Sequence, residues 1–176
     1  MLTGCAAPKG EFQAKKDPTY HGKVERLLII YANGPWTDQQ LDAHFSEALL
    51  NRLVSELAQR GVVSEVVQPN YEVTDSLAPV RAATSRFLPR QRMNFALART
   101  FRSEHGYRAT PGSLVHVQSD ATLKFRFDLS DAESGQIFWR GELNYNTLLA
   151  PQSIADQFVE QLTTENFLNR PAAAAR

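Results

Sequence analysis

DATLKFRFDLSDAESGQIFWRGELNYN, Asp120 to Asn146, is the stretch whose reading decides the fold. In its first arm Leu123, Phe125, Phe127 and Leu129 alternate with Lys124, Arg126 and Asp128, the period of two of a strand with one buried face. The second arm, Gln136 to Asn144, sets Ile137 and Trp139 on one face and Phe138 and Arg140 on the other. Ser130 to Gly135 joins the arms with turn-forming residues, so the unit reads as a β-hairpin in a half-covered sheet.

Upstream, Leu27 to Tyr31 is a continuous apolar run of the kind a central strand needs when both its faces are covered. Thr37 and Gln40 fit a capping box opening a helix. That helix's apolar positions are Leu41, Phe45, Ala48, Leu49, Leu53 and Leu57, widened by Leu50 and Val54, and Gly61 is placed to end it. Val62 to Val67 reads as the next strand, closed by Pro69, which makes a parallel βαβ unit or a split one with a further strand between. Asn70 to Pro89 is a short helix or an extended loop, its two interior prolines opposing one long helix. Arg90 to Glu104 is predicted helical from Met93, Leu97 and Phe101 at four-residue spacing, Leu114 to Gln118 is predicted a strand, and a last helix starts at Ser153. The expected fold is α+β: a mixed β-sheet with helices packed mainly on one face, in the order β-α-β-α-β-β-β-α.

With 176 residues, 43% of them apolar and 22% charged, the chain is sized for one domain with a sizeable core. Net charge is zero, so no global field favours nucleic acid or a membrane surface. Charge is nevertheless uneven, because Arg81 to Arg108 holds seven arginines against the single acid Glu104. On the helix expected there, Arg92, Arg99 and Arg102 project opposite the apolar stripe with Phe95 among them, a composition enriched at binding hot spots. These four residues form the candidate partner-binding face, to be weighed against a solvated face whose arginines pair with acids elsewhere.

The single cysteine, Cys5, closes Leu2-Thr3-Gly4-Cys5, which resembles a bacterial lipobox: a branched apolar residue and two small ones ahead of a cysteine that is diacylated. The resemblance implies that residues 1–5 are the end of a lipoprotein signal peptide and that Cys5 carries an acyl (palmitate-type) anchor. Residues 6–19, polar and lysine- and proline-containing, then read as a flexible tether, residues 20–170 as a single α+β domain, and residues 171–176 as a frayed tail. Ala6 after the cysteine resembles an outer-membrane sorting signal, which places the domain in the periplasm. Elsewhere no continuous apolar run approaches the length of a membrane span.

Leu27 to Tyr31, Leu49 to Gly61 and the turn D-x-x-x-G-x-I-x-W at Asp131 to Trp139 together resemble a small periplasmic domain shared by three groups. These are the lipoprotein activators of penicillin-binding proteins, the curli secretion lipoprotein and the amino-terminal domain of the Tol-system translocation protein. The resemblance spans Lys23 to Leu168. It implies a non-enzymatic interaction module that binds a protein partner of an envelope assembly (cell-wall synthesis, secretion or a Tol-like complex) or the cell wall itself.

Motifs for chemistry are sparse. His21, His44, His105 and His116 stand in no metal-ligand spacing, and no nucleophile elbow or glycine-rich phosphate loop is present. Glu133 and Asp131 sit where turns place acids. The expectation is therefore no catalytic residue, no metal, no cofactor and no nucleic-acid partner. The alternative is an envelope hydrolase or small-ligand-binding lipoprotein with a site assembled from distant residues, and a third reading is one subunit of a homo-oligomer.

Overall fold

The hairpin forms where the alternation places it, and the rest of the sheet is built on it. In a computed structural model, which describes residues 11–33, 39–69, 74–101, 121–145 and 150–170, the elements follow in the order β1 (Glu11–Lys16), β2 (Arg26–Asn33), α1 (Gln39–Ala58), β3 (Val63–Val67), α2 (Ala78–Phe87), β4 (Gln91–Phe101), β5 (Ala121–Asp131), β6 (Ile137–Tyr145) and α3 (Pro151–Thr164). The strands make one six-stranded mixed sheet ordered β1-β6-β5-β4-β2-β3. β2 runs parallel to both β3 and β4, while β4-β5, β5-β6 and β1-β6 are antiparallel.

The α+β class, the mixed sheet and the element order from β2 onward are as expected, and α1 closes at Gly61, whose φ of +80° is the left-handed turn glycine adopts without strain. Four assignments differ. Residues 91–101, expected as a helix, are strand β4. Met93, Leu97 and Phe101 recur every four residues, a spacing that is a multiple of the strand period as well as close to one helical turn, so it does not discriminate. Phe95 does: it is in phase with Met93 only in a strand, and both are fully buried.

Asn70 to Pro89, open between a short helix and an extended loop, holds the short helix, and it is this segment, Ala78–Phe87, that supplies the second helix in place of residues 90–104, with Pro79 tolerated in its first turn and Leu88 in a left-handed conformation (φ 50°) just before Pro89. Residues 11–16, expected within the tether, form edge strand β1, whose Phe12 packs 6.0 Å from Trp139 and 6.3 Å from Phe127 between ring centroids. One aromatic in a polar, lysine-bearing hexamer is how an edge strand looks when charge guards its open side.

Fourth, Phe138 does not share a face with Arg140. Leu129 opposes Trp139 but Ser130 opposes Ile137, so β6 carries one extra residue and a bulge. The bulge turns Phe138 and Trp139 both inward, at 1% and 0% exposure, with Phe138 stacked on Tyr20 at 3.8 Å. The expected capping box at Thr37, the strand at Leu114 to Gln118 and Cys5 lie outside the described residues.

α1 and α3 pack side by side on one face of the sheet, over Leu27, Ile29, Tyr31, Met93, Phe95, Phe125, Phe127 and Trp139. Phe158 of α3 stacks 4.5 Å from Phe127, and Phe45 of α1 lies 6.1 Å from Phe125. Among the described elements α2 alone occupies the opposite face, and it reaches only β2 and β3, where Ala83 and Phe87 bury Leu28 beside Ile30 and Val67. Arg26 fixes its end: the guanidinium lies 4.2 Å over the Phe87 ring, and Nε donates to the Phe87 carbonyl at 2.6 Å.

Candidate functional site: the open face of the sheet

From β4 to β1 no described helix covers the second face. Strand alternation assigns it the polar half of each pattern: Arg92 and Asn94 on β4, Arg126 and Asp128 on β5, Arg140 and Glu142 on β6, Gln13 and Lys15 on β1. The register aligns Asn94, Asp128, Arg140 and Lys15 in one row across four strands, and Arg126, Glu142 and Gln13 in the next.

Asp128 is the centre. Arg140 grips it from β6, Nε to Oδ1 at 2.6 Å and Nη2 to Oδ2 at 3.2 Å. Arg126, two residues back on the same strand, does the same with Nε to Oδ1 at 3.3 Å and Nη2 to Oδ2 at 3.0 Å. Burial works to raise the Asp128 pKa, but the hydrogen bonds from Arg140 and then Arg126 outweigh it, so the carboxyl sits below its ordinary value. Two guanidinium groups sharing one carboxylate leave a net positive charge, and both arginines remain about half exposed. Counting Lys15, Arg92, Arg126 and Arg140 against Asp128 and Glu142, the face is formally +2 among described side chains.

The candidate partner face of Arg92, Phe95, Arg99 and Arg102 does not form, because it depended on a helix and residues 91–101 are a strand. Phe95 is 1% exposed and stacks between Tyr31, at 5.1 Å, and Phe127, at 4.9 Å, on the helix-covered side. Arg92 is on the open face, opposite Leu28 and Ser130. Arg99 takes the register position opposite Leu123, its side chain outside the description, and Arg102 lies outside the described residues. Of the basic segment's described arginine side chains three are spent on pairing: Arg81 with Asp75, Arg86 with Glu65 and Arg90 with Glu25. Among these described arginines Arg92 is the exception. Its Nε is buried without a partner, and its guanidinium makes no hydrogen bond or ion pair with a described residue.

The residues that do build the site, Lys15, Arg126, Asp128 and Arg140, carried a visible signal, since the alternation in the first arm already set Arg126 and Asp128 against the apolar face. What the sequence withheld was that β1 extends the row and that nothing described covers it.

Among the described residues no group of three or more His, Cys, Asp or Glu side chains is gathered to hold a metal ion. His21 is exposed. Asp131 spends its Oδ1 on the hairpin turn, accepting from the Ser134 amide at 2.8 Å and hydroxyl at 2.9 Å, and the Ser134 amide in particular holds its carboxyl below the usual range. A groove of about 410 Å³ runs between α1 and β3, lined by Ser46, Glu47, Leu50, Asn51, Val54, Val66 and Gln68. No described helix is long and apolar enough to cross a membrane.

No protein-family model matches the sequence, and no curated protein matches it. Among solved structures, the chain is similar to the dodecamer of a single-residue variant of PelC from Paraburkholderia phytofirmans, with a TM-score of 0.52 at 16% identity over 88% of this chain and 96% of that one. A second crystal form of the PelC dodecamer from the same organism gives 0.52 at 14% identity over 92% and 99%. At such identities the likeness is one of fold.

Proposed function

We propose that the chain is a non-enzymatic interaction module of the bacterial envelope, anchored to the outer membrane through an acyl group on Cys5 and facing the periplasm, which assembles with copies of itself to serve a protein partner of an envelope complex. The observation that carries this is the division of labour across the sheet. One face is spent on a filled aromatic core, and the other, over four strands, is a charged surface that no described helix covers. Self-assembly is supported by the fold shared with PelC, whose crystals hold dodecamers. Anchoring is supported by the Leu2-Thr3-Gly4-Cys5 lipobox alone.

The test is the intact mass and membrane fractionation of the product made with its native upstream sequence, beside Cys5→Ser. A diacylglyceryl-sized mass increase with outer-membrane recovery, both lost in the variant, is the expected result. A soluble, unmodified product rejects the anchor.

The second reading, a small-ligand-binding or hydrolytic lipoprotein, is favoured by one feature, the groove beside Glu47, Asn51 and Gln68. Saturable binding of a small ligand that Asn51→Leu abolishes, with no effect from changes on the open face, would favour it over the module.

A further inference from the structure

The open face and the helix layer lie on opposite sides of the molecule and carry opposite charge. Against the sheet's formal +2, the layer of α1, α3 and the turn after α1 presents Glu47, Glu56, Asp156 and Glu160 against Arg52 and Arg60, a formal −2 among described side chains. Glu56 is consumed by Arg52 and Arg60, and Asp156 by Arg52. Glu160, at the crest of α3 opposite its buried Ile154, Phe158 and Leu162, and Glu47, on the flank of α1, are exposed and make no hydrogen bond or ion pair with a described residue. On the sheet face Lys15, which is exposed, and Arg92, which is part-buried with its Nε unpartnered, likewise make no hydrogen bond or ion pair with a described residue. Each surface therefore holds two charges that the fold leaves without a counter-ion, and the signs are opposite.

From this, and resting on the self-assembly proposed above, we infer that the open sheet face docks the α1/α3 layer of a second copy of this chain. Sheet against sheet or helix layer against helix layer sets like charges together, which opposes either symmetric pairing. Sheet against helix layer pairs Lys15 and Arg92 with Glu47 and Glu160. The footprints agree as well. Strands β4, β5, β6 and β1 span about 15 Å across and the nine residues of β6 about 30 Å along, while two adjacent helices with axes about 10 Å apart present a strip of similar width. Such a contact buries on the order of 1,000 Å² in total, the lower bound of a specific interface. The outward residues on the helix side, Asn51, Ser55, Gln59 and Ser153, are small or polar and lay no bulky apolar group against the charged strands. Because the two surfaces differ, the contact is head-to-tail, and it closes into a ring or runs on as a filament according to the rotation at each step.

The experiment is sedimentation velocity of the full 176-residue chain and of two charge-reversal variants, Lys15→Glu/Arg92→Glu on the sheet and Glu47→Lys/Glu160→Lys on the helices, alone and mixed. The wild type assembles; each variant alone, now carrying one sign on both surfaces, self-associates about tenfold or more weakly. Mixed in equal amounts they reassemble in alternation, since each offers the other both a native and a reversed pair. Variants that assemble like the wild type, or that fall apart and are not restored by mixing, overturn this interface while leaving self-assembly standing. A wild type that stays monomeric overturns the self-assembly reading with it. Far-UV circular dichroism checks folding, and if Arg92→Glu disturbs it, Lys15→Glu/Asn94→Glu, both at exposed positions on the same face, carries the same test.

Discussion

Asn94 and Phe95 are neighbours on one strand and live in different molecules, physically speaking. Phe95 lies in a run of stacked rings, 5.1 Å from Tyr31, 4.9 Å from Phe127 and 6.0 Å from Phe125, under two helices. Asn94 is exposed on the open face, in the row of Asp128, Arg140 and Lys15. The pleat alone separates them, since successive side chains of a strand leave opposite faces. One face of this sheet therefore holds the core, while the other, from β4 to β1, carries side chains that no described helix packs against. The sharpest way to break that contrast is to truncate both residues. Phe95→Ala is expected to cost about 3–5 kcal/mol of unfolding free energy and Asn94→Ala less than about 0.5 kcal/mol, read from the shift of the urea midpoint at constant slope. Comparable losses at the two positions would show that the open face also carries the fold.

Gly141 sharpens the contrast from the side of packing. A Cβ there would collide with the six-membered ring of Trp139 and come 2.9 Å from the Phe12 ring, so the missing side chain is what leaves room for both rings against the backbone of β6. Gly141→Ala is expected to cost about 1–3 kcal/mol by overpacking. Because Phe12 is displaced, amide exchange should accelerate along β1 before the rest of the sheet. Uniform exchange throughout would mean that β1 is docked by its backbone ladder alone. A smaller effect is expected within the core at Tyr31, whose hydroxyl is 2.5 Å from that of Ser46 in a buried pair linking β2 to α1. Tyr31→Phe leaves Ser46 without that bond and is expected to cost about 1 kcal/mol in thermal or denaturant unfolding.

The same contrast explains what could be read in advance. The hairpin's first arm and helix α1 were legible because each shows a single period over many residues, and the central strand Leu27 to Tyr31 because an unbroken apolar run suits a strand covered on both faces. β4 was not, because Met93, Leu97 and Phe101 satisfy two periods at once and the arginines drew attention to a helical face that only a helix would possess. β1 was illegible because an edge strand needs few apolar residues: Phe12 alone is inserted between Trp139 and Phe127, and the rest is polar as an edge should be. The bulge that buries Phe138 leaves no local mark either, being a matter of register between two strands rather than of composition in one. Of the candidate site, Arg126 and Asp128 followed from alternation. The row they belong to became visible only when four strands, one of them unrecognised, were laid side by side.

The smallest expected effect belongs to the open face, and its pH dependence distinguishes a clamp from a chance contact. Arg126 and Arg140 are each about half exposed, so losing either is expected to cost under about 1 kcal/mol at neutral pH. Asp128 is shared by both, with its side chain only 14% exposed, and its folded-state pKa is lowered. A carboxyl whose pKa is lower folded than unfolded contributes stability that is fully present above the unfolded value, about 3.9, and is lost as the pH falls through the folded value. Asp128→Asn removes the group that titrates. The stability gap between wild type and variant should therefore be constant above about pH 5 and narrow steadily below about pH 4, as the wild type takes up the proton that the variant has no site for. A gap that stays constant to low pH would mean that the two guanidinium groups do not hold the carboxylate in solution. The open face would then carry four unclamped cations, Lys15, Arg92, Arg126 and Arg140, rather than two beside a fixed, partly neutralised clamp, and any acidic surface docking on it could pair with two more guanidinium groups.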